Sequence, residues 1–173
     1  MRLSNKADDD LATPGADPLE PVGGLTATGL VRLEHYPAPA RIQPYVTTLF
    51  TLRCDELQIN DVLPAAVGYL AIMLSGTGTV RFVSGRCDAA HPETLLTPSS
   101  AAAALEIQGP WRMAVAALSP LGWAALTGLD AGVHADRAYD ASDVLGAEAA
   151  ALGEHLRALH RTAPERSDAL AAE

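Results

Sequence analysis

Aromatic residues are scarce in this chain. Phe, Trp and Tyr make up 5% of its 173 residues, and alanine takes much of the apolar share. Such a core depends on close backbone approach more than on large rings. There are two cysteines, Cys54 and Cys87, with no Cys-x-x-Cys spacing and no secretory signal ahead of them. Each is expected as a buried free thiol, the usual state in a reducing compartment. A chain of this length buries roughly two-thirds of its unfolded surface and needs no disulfide or metal staple. No run approaches the ~18 apolar residues of a membrane span, and the opening MRLSNKADDDLATPGADPLEP has no apolar signal core, so a cytoplasmic protein with no membrane contact is expected. Positive charge is short as well: 12 Lys and Arg against 21 Asp and Glu give a formal charge of −9. That balance repels phosphate backbones and argues against this chain gripping nucleic acid by itself.

What is present begins with a change of texture. Residues 1–28 are rich in Asp, Pro, Gly, Ala and Thr without hydrophobic periodicity, and are expected as a disordered tail. From Val31 onward come eight short runs: VRLEHY, YVTTLFTLR, LQINDV, YLAIMLS, TVRFV, ETLLT, AAAALEI and RMAVAAL. Turn signals such as PAP, CDE, GTG, SGR, TPSS and QGP separate them, the pattern of an antiparallel barrel or sandwich over residues 29–119. Thr47, Leu49 and Thr51 alternate with Thr48, Phe50 and Leu52, so one face is more polar than the other. Residues 69–74 are apolar throughout, as in a central strand covered on both faces. Gly76-Thr77-Gly78 predicts a tight hairpin between residues 69–74 and 79–83.

Residues 120–173 read as helical. Pro120 opens a short helix through Thr127 that stops at Gly128. Asp140 and Asp143 offer N-cap oxygens for one longer helix to about Arg161. Along it Leu145, Ala149, Leu152, Leu156 and Leu159 are spaced 4, 3, 4 and 3, a seam suited to a twin helix, and Gly146 and Gly153 share one heptad position where two backbones can approach. A further helix is expected from Pro164-Glu165.

Catalytic patterns are missing. Barrel enzymes of the cupin type use a His-x-His pair with a following Glu and a later His, whereas the histidines here are His35, His91, His134, His155 and His160, with no such spacing. His155 and His160 are five apart, wrong for a shared metal face on a helix. There is no Gly-x-Ser-x-Gly elbow, and Ser119 stands before Pro120 without flanking glycines. Asp136-Arg137 reads as a solvated loop with a structural ion pair. Neither catalysis, nor a metal, nor a cofactor is expected. A small molecule inside the barrel would meet Tyr69, Met73, Arg81, Trp111 and Met113, although the plain reading of Arg81 is an outward-facing strand charge. Ala101, Ala102, Ala103 and Ala104, with Ala114, Ala116 and Ala117, either leave a cavity or let sheets approach closely.

One series of segments is recognisable: Pro44-Tyr45-Val46, Asp61-Val62-Leu63-Pro64, Leu96-Thr97-Pro98, Gly109-Pro110-Trp111, Leu118-Ser119-Pro120-Leu121-Gly122-Trp123, Asp136-Arg137 and Asp143-Val144-Leu145-Gly146. In this order they resemble the N-terminal regulatory domain of AraC-type bacterial transcription regulators, over residues 30–173. The resemblance implies a cupin-like antiparallel β-barrel or jelly roll, then a helical dimerisation segment, and a C-terminal module with two helix-turn-helix motifs. No recognition helix or basic stretch occurs before Glu173, so DNA contact is expected only through such a module, absent from this chain. Trp111 and Trp123 would either clamp the barrel to the dimerisation helix together or form a plain aromatic core patch. The expected function is a ligand-sensing domain, homodimeric, that responds to an unknown small-molecule effector. The alternatives are a stand-alone cupin-like small-molecule-binding protein or enzyme, and an interaction module with no ligand.

Overall fold

Apolar alternation sets the strands and their partners set the length. A computed structural model describes residues 26–162. Its elements are β1 (Arg32–Tyr36), β2 (Val46–Cys54), β3 (Gln58–Leu63), β4 (Tyr69–Phe82), β5 (Cys87–Ala89), β6 (Glu93–Leu96), β7 (Ala103–Leu118), α1 (Pro120–Thr127), β8 (Ala138–Asp140), α2 (Ala141–Leu145) and α3 (Ala147–Thr162). The expected tail up to residue 25 and the expected helix from Pro164 lie outside the described residues. Residues 26–30 are not loose: Thr26 N–H donates to Asn60 O at 2.6 Å, and a 3-10 turn spans Thr28–Leu30.

The fold is mainly antiparallel sheet with C-terminal helices, and β7 is its spine. The second half of β7 pairs with β2, from Trp111 opposite Cys54 to Leu118 opposite Val46; its first half pairs with β3. β4 runs along the whole other side, from Tyr69 opposite Ala117 to Phe82 opposite Ala103. β1 extends the sheet beyond β2, while β4 also pairs with β6 and β5, and β6 with β8. Among the described residues the path from β1 to β8 does not close, so the sheet is open. It nevertheless folds over itself: Tyr69 at one end of β4 and Val80 and Phe82 at the other share one apolar cluster with Leu96 and Ala138.

That folding corrects the expected hairpin. Residues 69–82 form one continuous strand, bent where its register against β7 shifts between Met73 and Thr77. Gly76 sits at φ 89°, and a Cβ on Gly78 would strike the Glu106 carbonyl. These glycines bend the strand and admit its neighbour; they do not reverse the chain. AAAALEI and RMAVAAL likewise join through Gly109-Pro110 into β7, where Gly109 N–H donates to Leu57 O at 2.9 Å. Two pairs of expected runs thus merge, and the three-residue β5 and β8 are additional.

The helices follow their caps. Ser119 Oγ accepts from Gly122 N–H at 2.9 Å, Pro120 occupies the first turn, and Gly128 at φ 64° ends α1. Asp140 caps α2 through Ser142 N–H at 2.8 Å, but Gly146 at φ 80° stops it. The single long helix expected from Asp143 is therefore two, α2 and α3. Trp123 packs with Leu95, Leu118, Ala141 and Ala149, whereas Trp111 belongs to a separate cluster with Cys54, Ile59 and Ile107. The two tryptophans form no common clamp, because they lie in different clusters. Cys54 is buried as expected, but Cys87 on the three-residue β5 is exposed; both are free thiols. Asp136 makes no ion pair with Arg137: its carboxylate accepts from Ser100 N–H and Oγ–H, at 2.8 and 2.5 Å.

Candidate ligand cavity

The alternation of a strand sends its side chains to two faces, and the bent sheet gives each face a different use. Tyr69, Ala71 and Met73 of β4, Trp111, Met113 and Val115 of β7, and Phe50 and Leu52 of β2 face one way. Across from them stand Val80, Leu105 and Ile107 from the folded-over half. Between the halves lies a cavity of about 290 Å³, close to the lower end of small-molecule sites. The rings of Phe50 and Tyr69 meet edge to face with centroids 6.0 Å apart.

Four of the five expected ligand-facing residues therefore meet here: Tyr69, Met73, Trp111 and Met113. Arg81 does not. It lies on the opposite face of β4, where its Nη2 reaches Glu106 Oε1 at 3.2 Å. Ala114 and Ala116 also face away, toward α3, so the cavity comes from the fold-over and not from those alanines. Phe50, Leu52, Ala71 and Leu96 were not singled out by sequence, although the alternation of Phe50 and Leu52 carries the signal.

Polar groups in the cavity are few. Burial pushes the Tyr69 phenol up from its ordinary pKa, so it stays a neutral hydroxyl. Asp61 accepts from Val62 N–H at 2.7 Å, and the Thr94 hydroxyl donates to His91 O at 2.9 Å. The Trp111 indole N–H is buried and meets no acceptor among the described residues. No group of three or more His, Cys, Asp or Glu side chains suited to a metal ion occurs among the described residues.

On the outer face, α3 leaves an apolar groove of about 380 Å³ against Leu49, Ile72 and Ala114. The expected dimerisation residues divide here. Leu145, on α2, and Ala149 pack around Trp123; Leu156 and Leu159 pack on Ile72 and Ala114. Leu152 is 43% exposed beside the groove. Gly153 does not await a second backbone, because Glu93 fills its space. Glu93 Oε1 accepts from Arg157 Nη2 at 2.5 Å, and Arg157 Nη1 donates to Met73 O at 3.3 Å. The helix is thus tied to a strand whose side chain lines the cavity.

No family model, no curated protein and no solved structure matches the chain. None of the described helices is long and apolar enough to cross a membrane.

Proposed function

We propose that this chain is the effector-sensing and dimerisation domain of a cytoplasmic AraC-type transcription regulator, built on a cupin-like fold. The observation that carries the reading is the apolar cavity of about 290 Å³ between the folded halves of the sheet. A small-molecule effector enters there and the domain acts by binding, without catalysis or a cofactor. Occupancy reaches the helices through Met73, which touches the cavity with its side chain and Arg157 with its carbonyl. For that path to signal, the effector must prefer one placement of α3 over another. The domain pairs with a second copy through Leu152 and the groove beside it. DNA contact is left to a helix-turn-helix module outside this chain, and the formal charge of −9, which repels phosphate backbones, supports that division.

Reading the source gene beyond codon 173 tests this: two helix-turn-helix patterns support it, and an uninterrupted stop sinks it. A gel shift adds a second check. This chain alone is expected to show no sequence-preferring duplex binding at physiological salt, and submicromolar affinity for one duplex would overturn the division of labour.

A further inference from the structure

The inner face of the folded-over half carries a carboxylate among apolar side chains. On β3, Ile59, Asp61 and Leu63 share a face, and Asp61 stands directly opposite Leu105, which in turn stands opposite Val80. Leu105 and Val80 both line the cavity, so this cross-strand row carries the Asp61 side chain to the cavity side. Its neighbours along the strand are apolar: Ile59 is buried with Ile107, and Leu63 packs with Val80 and Phe82. Asn60 and Glu106, one step along, face the other way. Asp61 is half-buried, and its Oδ1 accepts from the adjoining Val62 N–H at 2.7 Å. Its second oxygen accepts no hydrogen bond, and no Lys, Arg or His pairs with it among the described residues. That oxygen is open to a water-sized group, as the buried Trp111 nitrogen is not.

We infer that the cavity takes a small organic cation, an ammonium on an apolar body the size of one ring, which Asp61 pairs. This rests on reading the cavity as the effector site. An ammonium brings three donors and the opposite charge, so it meets the free oxygen with a charge-assisted hydrogen bond. A neutral ligand seated against this row covers the carboxylate without a counter-charge, and an anion sets a second negative charge beside it. No Lys, Arg or His lines the cavity, so nothing in its wall competes for Asp61. The rest of the wall suits an apolar body. Phe50 and Tyr69 meet edge to face with centroids 6.0 Å apart, and aromatic rings attract a cation held near their faces. A volume of about 290 Å³, close to the lower end of small-molecule sites, limits that body to one ring with a short chain.

The test compares three probes of similar shape on the full chain at about 0.15 M salt: phenethylamine, phenethyl alcohol and hydrocinnamate. Affinity is read by calorimetry, and the place of binding by the methyl resonances of Met73 and Met113, both in the cavity wall. Phenethylamine is expected to bind about tenfold tighter than the alcohol, and the alcohol about tenfold tighter than hydrocinnamate. The amine should shift both methionine methyls. Asp61→Asn keeps an acceptor for Val62 N–H and removes the charge, so amine and alcohol should come within about twofold of each other. Where that variant folds poorly, the affinity order and the methyl shifts of the unaltered protein decide. An amine drawn only by the overall charge of −9 would keep its preference in Asp61→Asn and leave the methyls unmoved, which overturns the inference. Equal binding of amine and alcohol, or tightest binding of hydrocinnamate, with the methyls shifted, overturns the cation and leaves the cavity as a site. Failure of all three probes to move either methyl at millimolar concentration removes the cavity reading and the inference with it.

Discussion

Glu93 is a carboxylate with almost no water around it, at 6% exposure, and it tolerates that position because Arg157 meets it at 2.5 Å. The pair fits only because residue 153 has no side chain; a Cβ there would strike Glu93 Oε1. The consequence is a change of sign. Gly153→Ala should lower stability by about 1–3 kcal/mol through overpacking. In a Glu93→Ala background the same change should be neutral or raise stability by up to about 1 kcal/mol, the ordinary helix preference for alanine over glycine. Urea unfolding of the four proteins reads the cycle, and equal losses in both backgrounds would place the clash elsewhere. Tyr69 makes a second prediction. Its phenol is raised in the folded state by burial, so the stabilisation it contributes is fully present below the ordinary value of 10.0 and lost as pH climbs through the folded pKa. Absorbance near 295 nm should show a late-titrating phenol that disappears in Tyr69→Phe. A titration curve identical in shape in the variant would contradict the buried hydroxyl.

Single elements show where local sequence stops being informative. α1 is legible to the residue, since Ser119, Pro120 and Gly128 act within one turn of the helix they bound. β4 and β7 are not legible, because Gly76-Thr77-Gly78 and Gly109-Pro110 carry local turn chemistry that a long-range partner overrides. β5 and β8 are three residues each and exist through pairing to β4 and β6. The same bend explains the candidate site. Counting by twos from Tyr69 and Met73 leads to Arg81, but the register shifts between Met73 and Thr77 reverse the parity, so Val80 faces in and Arg81 out. The sequence showed the lining up to the bend and not beyond it. Gly76→Ala probes that bend directly: at φ 89°, with a Cβ 2.9 Å from Gln108 O, it should destabilise by about 1–3 kcal/mol. Amide exchange should quicken on both arms of β4. A change confined to residues 75–77 would mean that the arms are not coupled through the bend.

At the scale of the whole molecule, the heptad seam serves two ends. Leu156, 7% exposed, packs within the monomer, whereas Leu152, 43% exposed, borders an apolar groove and is the residue through which the proposed self-contact would run. Two copies of an acidic chain repel at long range, so a stable pair needs an apolar contact, and salt should tighten it by screening. A two-fold contact would set each Leu152 against the partner's groove. Light scattering should then give a dimer mass that falls to monomer in Leu152→Glu, with the circular dichroism and melting point of the monomer fold retained. Removing two such side chains from burial withdraws about 1.5–3 kcal/mol each, enough for roughly a hundredfold or more in dissociation constant. Leu156→Glu should behave differently, losing about 2–5 kcal/mol of fold stability because it strips α3 from the sheet. A monomer mass for the unaltered chain at high salt would mean that the groove serves no self-contact. Unfolding of Leu152→Glu would mean that Leu152 belongs to the core despite its exposure.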